Sequence, residues 1–457
     1  MRIIILGAGQ VGSSLAASLV SEQNDITVVD IDAERLHELE LAYDLRTLQG
    51  TASHPSVLQK AGAKEADMII AVTDSDEINM LACQVAYTLY HTPTKLARVR
   101  SNEYLNHVTL FAQEALPIDA LISPESLLTE YIANLISHPG VLQVVDFADG
   151  RARMILVRCQ PQSSLDGVSI RQLNRQAPGM EFRVVTVLRG GEAIIPDGDT
   201  RLQAGDDIYF IGPTRSMDSM ARILRGDDGR ERNIMLAGGG NIGQRLATEL
   251  QHAYQVKLIE RRNRVAQRLS ETLGSVIVLV GSATDSSLLL EENIDRMDIF
   301  CAVTDNDEVN LVSCMLAKQL GAGKVMALIN QPQFVDLAHR EAIDIVITPQ
   351  MVTLGALLAH VRRGDVVVVH MLYDGSMEAF EVIVHGDEGS SKVVGRRLEQ
   401  LQLPEKVNIG AIVRGDEVLI AHHDTVLCSG DHVILLVADK KAVAQVERLF
   451  RVAATYL

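Results

Sequence analysis

The chain is 457 residues long, 47% hydrophobic and 22% charged, with a formal net charge of −17. That length allows roughly three domains, give or take one, and the composition is that of an ordinary globular protein. The acidic balance argues against nucleic acid, whose phosphates want a basic face, and against direct adhesion to anionic lipid, so any membrane link is expected to run through a protein partner.

No apolar run reaches the roughly 18 residues that a membrane-spanning helix needs. The stretch Ile343–Val361 comes nearest and is broken by Asp344, Pro349 and Gln350. Arg2 leads straight into a strand-like run, so no secretion signal is expected. The five cysteines (Cys83, Cys159, Cys301, Cys314, Cys428) form no C-x-x-C pair. Scattered thiols in odd number fit a reducing compartment and core packing, and no metal-ligand spacing appears.

Arg2–Leu6 reads as a strand that runs into Gly7-Ala8-Gly9-Gln10-Val11-Gly12. A helix follows, with Val11, Leu15 and Leu19 on one face. A G-x-G-x-x-G between strand and helix is the context of a dinucleotide-binding loop. Gly7 allows the tight turn, Gly9 lets backbone N–H groups approach a pyrophosphate, and Gly12 lets helix and sheet pack closely. The phosphates would sit at the positive end of the helix dipole. The next strand, Ile26–Val29, ends at Asp30, which can accept from a ribose 2′-hydroxyl and would repel a 2′-phosphate, so NADP is disfavoured.

Thr73-Asp74 ends the strand Met68–Val72, at the sheet edge where open α/β folds bind ligands. Two readings stay open there: ligand contact, and N-capping of the next helix by Asp74. The acids Asp74, Asp76 and Glu77 are read as first-turn helix charges rather than a metal site. Arg98 and Arg100 lie two apart on a predicted strand and so on one face. Their partners are either a ligand phosphate or a structural carboxylate. A helical stretch, Glu125–Ile136, carries an apolar stripe of Leu127, Leu128, Tyr131 and Leu135; it is either an ordinary core helix or a subunit contact. SHPG (Ser137–Gly140) then marks a boundary before a Val- and Ile-rich unit with Gly-Asp turns.

RGDDGRER (Arg225–Arg232) reads as a charged linker, after which the pattern returns. The second loop is Gly238-Gly239-Gly240-Asn241-Ile242-Gly243, with Ile242, Leu246 and Leu250 on the helix face and Glu260 as the acid. Thr304-Asp305 is the twin of Thr73-Asp74. At the place of Arg98 and Arg100 stands Met326-Ala327-Leu328-Ile329-Asn330, without arginine, so the two sites are expected to differ in affinity for charged ligands. Met351–Val361, with Leu354, Leu357, Leu358 and Val361, repeats the apolar helix. RRGD (Arg362–Asp365) precedes the last unit.

The recurrence is regular. Gly7 and Gly238, and Asn79 and Asn310, are each 231 residues apart. Between Ala66–Ala86 and Met297–Ala317, 10 of 21 positions are identical, Cys83 and Cys314 among them. Val187–Ile211 parallels Ile412–Leu436 at a step of 225. The expected fold is therefore α/β, with tandem duplicated Rossmann domains (doubly wound parallel sheets), each followed by a small α+β domain. The expected boundaries are 1–124, 140–226, 232–349 and 365–453. A dehydrogenase would need an acid–base group beside the nicotinamide. The small units repeat no His or Lys, His422-His423 standing against Pro196-Asp197, and neither G-x-S-x-G nor a P-loop is present. No catalytic residue is assigned.

RIIILGAGQVG, ITVVD, ADMIIAVTDSDEINMLACQVA, GGGNIG and AVTDNDEVNLVSCMLA together resemble the TrkA family, cytoplasmic regulatory subunits of bacterial Trk potassium uptake systems built from tandem RCK domains. The resemblance covers essentially the whole chain. It implies a regulatory role without catalysis, a peripheral place on the cytoplasmic side of the inner membrane, a TrkH- or TrkG-type transmembrane partner and a ring-like tetramer. It also implies NAD or NADH in the Rossmann clefts and regulation by ATP and ADP. Carried onto this sequence, the first site is Gly7, Ala8, Gly9, Gln10, Val11, Gly12, Asp30, Thr73, Asp74 and Arg98. The second is Gly238, Gly239, Gly240, Asn241, Ile242, Gly243, Glu260, Thr304 and Asp305, with its ligand left open by the missing arginine. An NAD-dependent oxidoreductase using one Rossmann unit, and an energy sensor without a transporter partner, are the alternatives.

Overall fold

The computed structural model describes residues 1–20, 24–112, 114–138, 140–177, 179–225, 233–340, 343–362 and 365–452. The linker expected at Arg225–Arg232 lies beyond Arg225 outside these residues, as do Pro139 of SHPG and Arg363-Gly364 of RRGD.

The first unit runs β1 (Arg2–Leu6), α1 (Gln10–Val20), β2 (Asp25–Asp30), α2 (Ala33–Ala42), β3 (Arg46–Gln49), α3 (Pro55–Ala61), β4 (Met68–Ala71), α4 (Asp76–Val85), β5 (Thr94–Arg98), α5 (Asn102–Leu105) and β6 (Ala120–Ile122). The strands form one parallel sheet in the order β3-β2-β1-β4-β5-β6. β1 is buried on both faces from Ile3 to Leu6, which is why it reads as a continuous apolar run rather than an alternation. Helix α6 (Pro124–Ser137) leads into an antiparallel unit of β7 (Gln143–Phe147), β8 (Ala152–Arg158), α7 (Ile170–Gln176), β9 (Arg183–Arg189), β10 (Glu192–Ile194), β11 (Asp207–Pro213) and α8 (Thr214–Arg225), with strand order β10-β9-β11-β8-β7.

The second half repeats this plan. Its parallel unit comprises β12 (Asn233–Ala237), α9 (Asn241–Leu250), β13 (Gln255–Glu260), α10 (Asn263–Thr272), β14 (Ile277–Val280), α11 (Ser286–Glu291), β15 (Ile299–Ala302), α12 (Asp307–Gln319), β16 (Lys324–Leu328), α13 (Pro332–Arg340) and β17 (Ile345–Ile347), in the order β14-β13-β12-β15-β16-β17. Helix α14 (Pro349–Val361) leads into β18 (Val366–Leu372), β19 (Met377–Ile383), β20 (Val407–Arg414), β21 (Glu417–Ile420), β22 (His432–Val437) and α15 (Val443–Phe450), ordered β18-β19-β22-β20-β21. The fold is thus two doubly wound parallel sheets, each followed by a small antiparallel α+β unit.

The halves are not side by side. Helix α6, which leaves the first parallel unit, packs along α9 of the second, and α14, which leaves the second, packs along α1 of the first. The cores follow this exchange. Leu128, Ile132 and Ile136 of α6 share one cluster with Leu246 and Leu250 of α9. Leu354, Leu357 and Leu358 of α14 share another with Leu15 and Leu19 of α1. Leu128 and Leu135 of the first stripe and Leu354, Leu357, Leu358 and Val361 of the second are therefore core, shared with the opposite half of the same chain, while Leu127 and Tyr131 are half-buried. The small units also meet face to face: Phe147, Met154, Tyr209 and Ile211 pack with Leu372, Met377, Ile434 and Leu436. Gly410 sits at that contact, where a Cβ would lie 2.9 Å from Ile211 Cγ2. Asn408 Nδ2 donates to Val185 O at 2.9 Å across it. Burial of so much apolar surface drives the association.

Candidate functional site

Each glycine loop lies where strand order reverses, between the first strand of its sheet and the fourth, the place where open α/β sheets bind ligands. Gly7 and Gly238 both take φ +111°, and a Cβ on either would come within 3.0 Å of the backbone of Thr73 or Thr304. Only glycine serves there. On Gly12 or Gly243 a Cβ would meet the carbonyl of Gly7 or Gly238, so these two bring helix against loop. The middle glycines differ. A Cβ on Gly9 would meet only the tip of Arg35, at 4.0 Å, and one on Gly240 would meet nothing. That open space faces the first turns of α1 and α9, whose leading N–H groups have no acceptor within their own helix. A pyrophosphate fits such a cradle.

The acids at the strand ends close the loops from below. Ala8 N–H donates to Asp30 Oδ2, and Asp32 N–H to Asp30 Oδ1 at 2.8 Å. In the second copy Gly239 N–H donates to Glu260 Oε2 at 2.9 Å and Arg262 N–H to Glu260 Oε1 at 2.7 Å. Asp30 is half-buried and Glu260 buried. Burial raises the Glu260 pKa, but the Arg262 and Gly239 N–H donors and the Arg262 guanidinium outweigh it and hold the carboxyl below its ordinary range. Arg262 Nε lies 3.1 Å from Glu260 Oε1.

The shared TD-x-D-E-x-N segments turn out to be largely structural. Thr73 donates to Asn79 Oδ1 from both its N–H (2.9 Å) and its hydroxyl (2.6 Å), and Asn79 Nδ2 donates to Arg98 O at 2.9 Å. Thr304 and Asn310 repeat this at 3.0, 2.6 and 2.8 Å, the last to Leu328 O. The threonine hydroxyls are thus turned inward, toward a buried asparagine that holds adjacent strand ends. Asp74 and Asp305 are not the N-caps considered for them: Ser75 caps α4 and Asn306 caps α12, which leaves both aspartates exposed at the cleft mouth. Asp76 is buried and accepts from Arg100 N–H and Ser101 N–H at 2.9 and 2.8 Å. Asp307 accepts from Asn330 and Gln331 in the same way. These pairings had a signal in the sequence, the repeated Asn and Asp, but not a partner. Cys83 and Cys314 are buried, and burial pushes Cys83 up to about 12 and Cys314 well above its ordinary value, which suits packing rather than thiolate chemistry.

The two arginines of LARVRS separate. Strand β5 ends at Arg98, so Arg100 is not on its face; its guanidinium reaches Asp76 at 3.7 Å and the carbonyl of Asp74. Arg98 Nε is buried without a hydrogen-bond partner among the described residues. Burial, then the charge of Arg100, lowers its pKa, while Glu125, Asp76 and Asp74 oppose them. A further asymmetry lies at the ribose end. The first cleft has Ile31, Asp32 and Glu34 after its acid, with Arg35 paired to Asp32 at 3.3 Å, whereas the second has exposed Arg261, Arg262 and Arg264. Positive charge without a carboxylate partner among the described residues stands on the β5 side of the first cleft at Arg98, and beside the acid of the second at Arg261 and Arg264, Arg262 being paired with Glu260.

Comparison with known proteins follows this division of the chain. The TrkA-N domain model matches residues 3–124 and 234–349, and the TrkA-C domain model matches 154–225 and 388–451. A Trk system potassium uptake protein TrkA from Halomonas elongata is 52% identical over 456 residues, 100% of both chains. Those of Vibrio alginolyticus and Haemophilus influenzae are 49% and 44% identical, again over 100% of both chains. Among solved structures, a GsuK channel covers 98% of this chain and 79% of its own, with TM-score 0.63 and 19% identity. A GsuK channel bound to NAD covers 98% and 78%, with TM-score 0.60. At 19% identity that likeness is one of fold.

Proposed function

This chain belongs to the TrkA family, and from that premise we propose that it is the nucleotide-responsive regulatory subunit of a bacterial potassium uptake system. The observation that carries the reading is the pair of open cradles at Gly9 and Gly240, each closed by an acid one strand away. The first cleft would hold its ligand with Gly7 to Gly12, Asp30, Asp74 and Arg98, and with Thr73 through the loop it braces. The second would use Gly238 to Gly243, Glu260 and Asp305, with Thr304 bracing in turn. Adenine nucleotides, NAD or NADH and ATP or ADP, are the ligand class. The NAD of a fold neighbour supports that choice. The four stretches 1–124, 140–226, 232–349 and 365–453 serve as the working units.

Such a protein acts by binding. A ligand shifts a conformational equilibrium only through its different affinity for the two states, and the shifted arrangement then works on a transmembrane partner of TrkH or TrkG type. No helix among the described residues is long and apolar enough to cross a membrane, so the pore belongs to that partner. Attachment at the cytoplasmic face of the inner membrane, as a ring-like tetramer, completes the reading.

The test is potassium uptake at limiting external potassium in cells with and without the chain, at matched ATP. Uptake should fall on deletion and return with the wild-type chain, but not with Asp30→Ala. Uptake indifferent to the chain would overturn the proposal.

A further inference from the structure

The exchanged helices join the two clefts. Helix α6 starts two residues after β6, the neighbour of β5, so its first turn, which carries Glu125, stands at the rim of the first cleft near Arg98. Its body lies along α9, the helix that the second glycine loop opens. Reciprocally, α14 starts two residues after β17, at the rim of the second cleft, and lies along α1. Each cleft therefore shares one helix with the phosphate end of the other.

The two joints are not alike. Arg245 of α9 crosses to the first half and donates to Ser126 Oγ on α6 and Asn102 Oδ1 on α5. Its counterpart on α1, at the step of 231, is Ser14. No carboxylate pairs with Arg245 among the described residues, so it is held by two neutral oxygens at the edge of the first cleft. Between α6 and α14, bounded also by β7 and β18, is a cavity of about 770 Å³ lined in part by Leu127, Tyr131, Val352 and Ala356. Protein interiors are otherwise close-packed and shift between discrete arrangements. This space leaves α6 and α14 less tightly packed against each other there than the small units, which pack face to face.

We infer that the two clefts are energetically coupled through α6 and α14, with Arg245 as the positioning residue that ties the second glycine-loop helix to the rim of the first cleft. The inference rests on the nucleotide-binding reading above and adds that occupancy of one cleft changes affinity at the other. By linkage the effect is equal in both directions.

Single-cleft chains make this measurable. Gly9→Glu and Gly240→Glu each start a side chain where an added Cβ meets open space, and their carboxylates repel a phosphate from one cleft; circular dichroism and urea midpoints check that each variant keeps the fold. NADH, and separately ADP, is titrated calorimetrically into the full-length wild type and both variants. The wild-type isotherm should depart from the sum of the two single-cleft isotherms, with one affinity changed about fivefold or more. Arg245→Ala should return it to that sum while leaving each single-cleft affinity within about twofold. Ala356→Leu, which projects into the cavity between α6 and α14, should do the same. A wild-type isotherm equal to the sum overturns the coupling and leaves nucleotide binding standing. Absence of binding to the wild type overturns both. Coupling that survives both substitutions removes Arg245 and the cavity from it, and with them the inference.

Discussion

A methyl group added to Gly239 would lie 2.9 Å from Glu260 Oε2 and 2.6 Å from Leu269 Cδ1. The first cleft has the opposite pairing: Ala8, buried, sits over the shorter Asp30. One carbon has moved from loop to acid, and the loop N–H still finds its carboxylate in both copies. The acid must reach the amide across whatever the loop residue occupies.

Gly239→Ala should therefore destabilise the chain by about 1–3 kcal/mol, the usual cost of overpacking, and adding Glu260→Asp should recover part of it. A double-mutant cycle by urea denaturation measures this. Losses that simply add would show the two residues to be independent.

Glu260 also predicts a pH dependence. Its folded pKa lies below the ordinary 4.5, so its stabilisation is complete above that value and is lost as pH falls through the folded one. The stability gap between wild type and Glu260→Gln should be constant from pH 8 to pH 6 and shrink below 4.5. A gap unchanged down to pH 3 would count against the loop and arginine contacts as its source.

Asn79 and Asn310 should matter as much as any ligand contact. Replacing either by Ala strands the N–H of Thr73 or Thr304 and removes the side-chain donor to the carbonyl of residue 98 or 328, while the hydroxyls keep Ser75 O or Asn306 O as acceptor. A fully buried stranded group costs about 1–3 kcal/mol, and these, on half-buried threonines, should fall toward the lower end. Urea midpoints should fall in both variants, and equally. A fall in only one copy would show that the matched geometry does not carry matched energy.

Arg98 separates phosphate from nucleoside. In the Gly240→Glu chain, Arg98→Ala should weaken ADP about tenfold, as expected for one hydrogen bond to a charged group, and leave adenosine nearly unchanged. Equal weakening of both would make Arg98 a structural residue.

Much of this was legible along the chain. The duplication, the two loops with their acids and the parallel sheets follow from local patterns, because backbone conformation at Gly7 or Gly238 and burial of both faces of β1 are written in neighbouring residues. The sequence leaves Asp74 open between ligand contact and N-capping; the cap is Ser75, since the helix starts at Asp76. Arg98 and Arg100 were placed on one face, yet β5 stops between them. What tertiary structure alone decided lies farther apart. The stripe Leu127, Leu128, Tyr131, Leu135 says that one face of α6 is apolar, and nothing in it says against which half it packs. Only the assembled chain pairs α6 with α9 and α14 with α1, sets sheet against sheet through Tyr209 and Ile434, and brings Arg245 to Ser126. An apolar face carries no address: hydrophobic burial is proportional to area and non-directional, so its partner is chosen by shape complementarity across the whole fold.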